Sequence, residues 1–261
     1  MLLNYQIKQT SNVDLDNKNE IIFVIHGLFG SLSNLSTLAK DLQSHYHVIL
    51  IDVRNHGKSP QSHSMSYPEM VEDIFELADH LEIEKFSIVG HSMGGKIAMG
   101  CALTHPERIK SIVIADIAPV SYEDKHSEVF NGLLLLNFKK IQNRMQASEQ
   151  LSRYIDSPEV RQFLLKSLQK KGNDFAFLFN LRALADNYMH IRGWPYINKT
   201  FEHPALFIKG GSSDYILPVH QKSIMDQFPN AHAKIISNTG HWLHAEKAKT
   251  FNRLITDFFK K

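Results

Sequence analysis

Short apolar stretches recur along the chain, and stretches with the three-to-four-residue spacing of helices lie between most of them. The apolar stretches predict buried strands, because a strand covered on both faces is hydrophobic along its whole length. Their alternation with helices predicts a mostly parallel sheet with helices on both faces, and we interpret the first stretch as an antiparallel edge strand. The predicted strands are Leu2–Gln9, Ile21–Ile25, Val48–Ile51, Phe86–Val89, Ile112–Ala115, Ala205–Ile208 and Lys234–Ile236, and the predicted helices are Asn34–His45, Pro68–Leu81, Met93–Thr104, Val219–Gln227 and Ala245–Phe259.

The alternation is interrupted once, between Ala118 and His203. This region contains many apolar residues but no convincing strand, and we predict that it is helical throughout. We interpret residues 120–200 as a helical cap, or lid domain, inserted between two strands of a core that comprises residues 1–119 and 201–261. Such a cap would cover an active site, and most of its apolar side chains are expected to pack it onto the core. They include Phe130, Leu133, Leu134, Leu135, Phe138, Phe163, Leu164, Leu165, Phe175, Phe177, Phe179 and Leu184.

Composition and charge narrow the classes of protein that the chain can belong to. Its 261 residues, 43% of them hydrophobic, suffice for one domain with an insertion and a full core. The basic residues behind its net charge of +2 are scattered, which argues against a nucleic-acid partner. The apolar stretches are too short to span a bilayer and no signal peptide is recognised, so we expect a cytoplasmic protein without a membrane partner. The single cysteine, Cys101, excludes an internal disulfide, and the oligomeric state is not predicted.

The most informative motif is Gly90-His91-Ser92-Met93-Gly94, which lies between a predicted strand and a predicted helix. A serine on such a tight turn exposes its hydroxyl above the sheet edge, and glycines flank it because side chains there would collide with neighbouring backbone. The N-terminus of the following helix directs backbone N–H groups and a positive dipole end towards an oxyanion formed beside the serine. We therefore predict a nucleophile elbow with Ser92 as the nucleophile.

A serine nucleophile needs a base. Among the 15 histidines of the chain, His241 is the candidate because of its position relative to the predicted strands and helices. His241 follows the last predicted strand and precedes the last helix, where catalytic groups gather in open α/β sheets. It also comes after the serine, in the order serine, acid, histidine that this kind of fold uses. We interpret His241 as the general base.

Two aspartates are candidates for the carboxylate that orients the base. Asp116 ends the strand after the nucleophile elbow, and Asp214 follows the next strand of the core. Both loops open on the same edge of the sheet. Each aspartate could instead cap a helix or form a turn. The residues alone leave the choice between Asp116 and Asp214 open.

The oxyanion hole is expected to consist of two backbone N–H groups. One belongs to Met93, directly after the nucleophile. The other lies in the loop after Ile21–Ile25, where Leu28 is the first candidate and Phe29 the alternative. A network between Asp52 and Arg54 is expected to fix the neighbouring loops.

Three further interpretations concern single residues and absent motifs. His26 is interpreted as structural, and Lys96 is expected to pair with a carboxylate that the sequence does not identify. The histidines lack the spacing of a metal site, and neither a dinucleotide fingerprint nor a P-loop is present. We expect no metal and no cofactor.

Four motifs together resemble the α/β-hydrolase superfamily, and the resemblance runs from end to end: His26-Gly27-Leu28-Phe29-Gly30, Asp52-Val53-Arg54-Asn55-His56-Gly57, Gly90–Lys96 and Gly240-His241-Trp242. With Asp116–Val120 and His241–Lys247 added, the chain is similar to small bacterial carboxylesterases of the YbfF type. The predicted fold class is therefore an α/β-hydrolase fold with a mostly parallel eight-stranded sheet, helices on both faces and an inserted helical cap. The resemblance also implies that Asp116, rather than Asp214, is the acid of the catalytic triad.

The first functional hypothesis is a serine carboxylesterase that hydrolyses short-chain carboxylic esters, with acyl thioesters as a second substrate class, through an acyl-enzyme on Ser92. Its partner is then a small-molecule ester. The alternative is a C–C bond hydrolase or lyase on the same scaffold, in which Lys96, Arg182 or Arg192 could bind an acidic substrate. A non-catalytic ligand-binding protein with the hydrolase fold is the remaining alternative.

Overall fold

A sheet of seven strands forms the centre of the computed structural model, which describes residues 1–9, 21–172 and 174–260. The order of its strands is β1-β3-β2-β4-β5-β8-β9; β1 runs antiparallel to β3, and the other neighbours are parallel. A separate antiparallel pair consists of β6 and β7. The strands are β1 (Tyr5–Lys8), β2 (Ile21–Ile25), β3 (His47–Ile51), β4 (Phe86–His91), β5 (Ile109–Ala115), β6 (Leu168–Lys171), β7 (Asp174–Phe177), β8 (Ala205–Gly210) and β9 (Ala231–Ile236).

The seven strands of the sheet agree with those expected from the apolar stretches, including the antiparallel edge strand β1. The described residues supply one strand fewer than the eight of the predicted fold class, and residues 10–20 lie outside the described part of the chain. All residues of β2 and β4 are buried, as expected for strands with helices on both faces. Two apolar clusters account for this burial, one on each face of the sheet.

Eleven helices surround the sheet in the described residues. The predicted helix Met93–Thr104 has the same bounds in the structure, and its residues up to Leu103 are buried. Burial along the whole length of this helix fixes the residue before it, Ser92, against the sheet. The helices are α1 (Ser36–Leu42), α2 (Tyr67–His80), α3 (Met93–Thr104), α4 (Ser127–Leu134), α5 (Arg144–Leu151), α6 (Pro158–Lys166), α7 (Leu181–Asp186), α8 (Tyr188–Arg192), α9 (Gln221–Gln227), α10 (Leu243–Glu246) and α11 (Ala248–Phe259).

The region between β5 and β8 contains α4 to α8 and also the hairpin of β6 and β7, so the prediction that it is helical throughout is wrong. The sequence did contain a signal for β7, because Phe175 and Phe177 alternate with polar or small residues, as in a strand. Gly172, in the turn of the hairpin, has a φ of 62°, a conformation that glycine adopts without strain.

The segment of residues 120–200, called the inserted segment below, packs against the loop that follows β2. The ring of Phe29 in that loop lies 5.1 Å from Phe130 and 5.2 Å from Phe179. Ser167 donates a hydrogen bond to the Phe29 carbonyl oxygen at 2.9 Å. The inserted segment therefore covers the edge where the parallel strands have their carboxyl ends, which is where sites form in open α/β sheets. Within the described residues, no helix combines the length and the apolar character needed to cross a membrane.

Candidate active site

The turn between β4 and α3 holds Ser92 in a strained conformation, with φ 54° and ψ −118°. A side chain on Gly90 would collide with the backbone of Gly94, and a side chain on Gly94 would collide with the carbonyl oxygen of Ile25. Both flanking glycines are therefore required by close backbone approach, as the motif predicted. Strain of this kind persists where the surrounding structure enforces it, as the buried β4 and α3 do here.

His241 lies in the loop after β9, and its Nε2 is 2.9 Å from the hydroxyl oxygen of Ser92. Its imidazole is partly accessible, with 16% of the side chain exposed. The preceding residue, Gly240, donates its N–H to Glu246 at 2.9 Å, which ties the start of the loop to α10. The structure thus brings the serine and the histidine within hydrogen-bond distance, although 149 residues separate them in the chain.

Asp116 follows β5 and faces the other nitrogen of the same imidazole. Its Oδ2 lies 2.8 Å from His241 Nδ1, and its side chain is fully buried. Its Oδ1 accepts the N–H of Gly210 at 2.9 Å, and Ser213 Oγ donates to Oδ2. A carboxylate at this position favours the tautomer with the proton on Nδ1, so Nε2 carries the lone pair that faces Ser92.

Asp214, the alternative acid, has different surroundings. Its side chain is 71% exposed and forms an ion pair with Lys125 Nζ at 2.6 Å. The hydrogen bond from Lys125 lowers the pKa of the Asp214 carboxyl. The structure therefore brings Asp116, and not Asp214, into hydrogen-bond contact with His241.

Leu28 and Met93 both line the cavity beside Ser92. Among the described residues, neither of their backbone N–H groups donates a hydrogen bond to a protein acceptor. The N–H of Phe29, the alternative donor, is already used, because it donates to His56 Nε2 at 3.1 Å. Leu28 and Met93 are thus the two candidates that remain available to a ligand.

Two buried histidines fix the loop that carries Leu28. His26 Nε2 accepts the N–H of Val53 at 3.1 Å, and His56 Nδ1 donates to the carbonyl oxygen of Arg54 at 2.9 Å. Burial lowers the pKa of His56 to about 3 and also lowers that of His26. Both rings are therefore neutral at pH 7. Each ring donates from one nitrogen to a backbone carbonyl oxygen and accepts a backbone N–H at the other, and so connects two loops.

Arg54 and Lys96 have partners other than those expected. Arg54 donates to both carboxylate oxygens of Asp73, at 2.6 and 2.9 Å, so the predicted network with Asp52 is wrong. Asp52 instead accepts backbone N–H groups, including that of Leu32 at 2.7 Å. Lys96 Nζ lies within ion-pair distance of no carboxylate in the described residues and donates to two backbone carbonyl oxygens of the inserted segment.

Three residues that touch the site were given no role by the sequence, although one of them, His91, belongs to the elbow motif. Ser213 binds Asp116, and Tyr215 stacks on the His241 ring with centroids 3.9 Å apart and planes 22° apart. His91 donates from Nε2 to the carbonyl oxygen of His241 at 2.8 Å. Burial keeps the pKa of His91 well below its usual range, so this ring is neutral. Proximity to the elbow and to Asp214 in the chain was the available signal for these residues.

A cavity of about 300 Å³ opens beside Ser92 and His241, between the sheet edge and the inserted segment. Its wall is mostly apolar and aromatic; Phe163, for example, packs on Trp242 with ring centroids 5.4 Å apart. No group of three or more His, Cys, Asp or Glu side chains that could hold a metal ion is found in residues 1–9, 21–172 and 174–260. The inserted segment contributes Val129, Val160, Phe163, Leu164, Tyr188 and Ile191 to the wall.

Comparison with known proteins finds similar esterases and lipases that cover nearly the whole chain. A family model described as alpha/beta hydrolase fold matches residues 20–152. Esterase YbfF of Escherichia coli is 40% identical over 256 residues, which cover 98% of this chain and 98% of that protein. The sn-1-specific diacylglycerol lipase ABHD11 of Danio rerio is 36% identical over 245 residues, covering 90% of this chain and 77% of that protein. A solved structure named as a marine microorganism esterase has a TM-score of 0.92 and 35% identity, with 99% of both chains covered.

Proposed function

The chain belongs to the α/β-hydrolase family, and from this premise we propose that it is a serine carboxylesterase with Ser92 as its nucleophile. The observation that carries the assignment is a pair of hydrogen-bond contacts made by one imidazole. His241 Nε2 lies 2.9 Å from Ser92 Oγ, and His241 Nδ1 lies 2.8 Å from Asp116 Oδ2. A serine, a histidine and a buried carboxylate in this geometry form a catalytic triad. The enzyme hydrolyses carboxylic esters.

In the first step, Ser92 Oγ attacks the carbonyl carbon of the ester while its proton moves to His241 Nε2. The carbonyl oxygen becomes an oxyanion, which accepts hydrogen bonds from the N–H groups of Leu28 and Met93. Each such donor typically contributes about 3 kcal/mol of transition-state stabilisation. The dipole of α3, which starts at Met93, adds positive potential at the same point.

In the second step, the tetrahedral intermediate collapses, the bond to the alcohol oxygen breaks, and His241 gives its proton to the leaving alcohol. An acyl-enzyme on Ser92 remains. A water molecule then attacks the acyl carbon as His241 takes its proton, and the carboxylic acid leaves with Ser92 restored. The buried carboxylate of Asp116 stabilises the imidazolium in both halves of the reaction.

The substrates are small-molecule esters with short acyl chains, hydrolysed in the cytoplasm. The small cavity between the sheet edge and the inserted segment supports this restriction, since about 300 Å³ is at the lower end of the range for ligand sites. Residues 120–200 act as the cap over a core of residues 1–119 and 201–261. The aromatic contacts of Phe29 with Phe130 and Phe179 support a cap that closes on the loop of the oxyanion hole.

The proposal is tested by hydrolysis of p-nitrophenyl esters of increasing acyl length by the wild type and by Ser92→Ala. We expect turnover that peaks at short acyl chains and falls by at least about 10³-fold in the variant, because the nucleophile is lost. Circular dichroism and the melting temperature of the variant control for folding. Wild-type turnover that persists in Ser92→Ala would contradict the assignment of the nucleophile.

A further inference from the structure

Lys96 places a buried ammonium group in the wall of the catalytic cavity. It lies one helical turn after Ser92, on α3, and it borders the same cavity. Its exposure is 1%, which makes it one of the largest fully buried side chains of the described residues. The triad and the oxyanion hole leave this lysine without a role.

The partners of Lys96 are dipoles rather than charges. Nζ donates to the carbonyl oxygens of Arg192 at 3.0 Å and Gly193 at 2.7 Å, at the end of α8. The rings of Tyr122 and Tyr67 lie over it, with centroids 4.8 and 5.5 Å from Nζ. An ammonium group has three N–H donors, and the described residues accept two of them. In the described residues the third N–H has no acceptor, and the positive charge faces aromatic rings but no carboxylate.

An isolated buried charge is unfavourable unless an anion compensates it. Burial accordingly lowers the pKa of Lys96 to about 7, so the group is only partly protonated near neutral pH. An anion beside Nζ would restore the protonated form. In the described residues, no carboxylate at the pocket wall around α8 compensates the charge of Lys96.

The other charged side chains of the cavity wall do not compensate the positive charge of Lys96. Lys125 is already neutralised by Asp214 at 2.6 Å. Arg192 donates from Nη1 to the carbonyl oxygen of Tyr122 at 2.7 Å, and among the described residues no carboxylate lies within ion-pair distance of it. Glu123, the carboxylate in the wall, is exposed. Lys96 and Arg192 thus leave an excess of positive charge on the side of the cavity formed by α8.

We propose that Lys96, with Arg192 as a second cation, binds a carboxylate on the acyl part of the substrate, so that half-esters of short dicarboxylic acids are preferred. This proposal rests on the esterase function proposed above. Lys96 and Ser92 line the same cavity and lie four positions apart in the chain, so a carboxylate bound at Lys96 belongs on a short acyl chain. Succinyl and glutaryl esters are short acyl groups that carry such a carboxylate.

The first experiment compares monoethyl succinate with ethyl pentanoate, a neutral ester of similar length, for the wild type, Lys96→Met and Lys125→Met. We expect the wild type to have the higher kcat/KM on monoethyl succinate. Lys96→Met should lose at least about 10-fold on that ester and less than about 3-fold on ethyl pentanoate. Lys125→Met removes a charge that Asp214 already neutralises, so the ratio between the two esters should stay within about 3-fold of the wild-type ratio.

A second experiment uses the unmodified enzyme and does not depend on the folding of a variant. Succinate and butanoate are compared as inhibitors of ethyl pentanoate hydrolysis at pH 6.5 and pH 8.5. We expect succinate to inhibit at a concentration at least about 10-fold lower than butanoate at pH 6.5. The advantage should shrink at pH 8.5, because Lys96 loses its proton as the pH rises through about 7. In Lys96→Met the advantage should be absent at both pH values.

Equal losses of Lys96→Met on both esters, with an unchanged melting temperature, would overturn the proposal and leave Lys96 as an anchor between α3 and α8. Equal inhibition by succinate and butanoate of the wild type would overturn it as well. Failure of the esterase function itself gives a different result, namely no Ser92-dependent hydrolysis of either ester.

Discussion

The loops after β5 and β8 both carry an aspartate at the same edge of the sheet, yet the fold treats the two carboxylates in opposite ways. Asp116 is fully buried and accepts hydrogen bonds from Gly210, Ser213 and His241. Asp214 is 71% exposed and has an ion pair with Lys125. The loop of Asp214 still serves the site, because its Ser213 binds the carboxylate of Asp116. One loop therefore carries the proposed acid, and the other supplies part of its support.

This difference shows that an aspartate at the end of a strand is not, by that position alone, suited to orient the imidazole of His241. A buried carboxylate needs hydrogen-bond donors in place of its lost hydration, and the loop after β8 gives two such donors to Asp116. A carboxylate in water, such as Asp214, would hold an imidazole far less rigidly. The backbone of Asp116 has a φ of 54°, an uncommon conformation for a residue other than glycine.

The largest expected effect separates the two aspartates directly. Asp116→Asn should lower kcat for a p-nitrophenyl ester by about 10³- to 10⁴-fold, because an amide at this position no longer favours the productive tautomer of His241. Asp214→Asn should change kcat by less than about 3-fold. The pair is measured at the same pH, with melting temperatures as the control. A larger loss in Asp214→Asn than in Asp116→Asn would reverse our assignment of the acid.

The contribution of the β8 loop is expected to be smaller. Ser213→Ala removes one donor to Asp116 and should lower kcat by about 10-fold with little change in KM, since the serine touches the acid and not the substrate. Ser212→Ala, at the exposed neighbouring position, is the matched control and should be close to the wild type. A Ser213→Ala variant with full kcat would mean that the N–H of Gly210 alone holds the carboxylate.

His91 fixes the histidine from the side of the elbow, so it tests whether the two aspartate loops act alone. His91→Leu should lower kcat about 5- to 10-fold, because the carbonyl oxygen of His241 loses its donor. His91→Gln retains an N–H donor and should recover most of this loss. Equal losses in both variants would indicate a packing role, since the hydrogen bond would then make no difference.

The smallest effect concerns stability and the ion pair of Asp214. Its pKa is lowered in the folded protein, so the stabilisation is present above the ordinary pKa of 3.8 and is lost as the pH falls through the lowered value. Because the carboxylate is mostly exposed, the contribution should be at most about 1 kcal/mol and should weaken in high salt. Urea unfolding of the wild type and Asp214→Asn at pH 7 and pH 3 measures it. A difference that grows at pH 3 would contradict this sign.

Much of the fold could be predicted because its strands are continuous apolar runs and its core helices have regular spacing. The inserted segment could not be predicted as well. Its β6 and β7 are short strands: β6 has one buried and three exposed residues, and β7 has three half-buried residues. A strand of this kind gives little periodic signal, so the apolar residues around it favoured a helix. The aromatic alternation of Phe175 and Phe177 was present but lay in a segment rich in helix signals.

The candidate site divides in the same way. Ser92 and His241 lie in turns whose glycines and positions relative to the strands follow from local sequence. Ser213 and Tyr215 touch the site only because distant loops converge on it. His91 belongs to the elbow motif, but its partner, the carbonyl oxygen of His241, lies 150 positions further along the chain. The predicted network of Arg54 with Asp52 was wrong for the same reason. Asp52 is close to Arg54 in the chain but accepts backbone N–H groups, and the partner of Arg54 is the more distant Asp73 on α2.

By itself, the sequence determined the order of strands and helices in the sheet region, the place where this alternation is interrupted and the elbow that carries Ser92, because these depend on residues close together in the chain. The tertiary structure decided which aspartate faces His241, which backbone N–H groups remain available and which partners Lys96 has. Those outcomes depend on burial and on contacts between residues far apart in the chain: 125 residues separate Asp116 from His241, and 96 separate Lys96 from Arg192. Local pattern does not tell which side chains are shielded from water at a point where several loops meet, and it is this burial that distinguishes the carboxylate of Asp116 from the exposed one of Asp214.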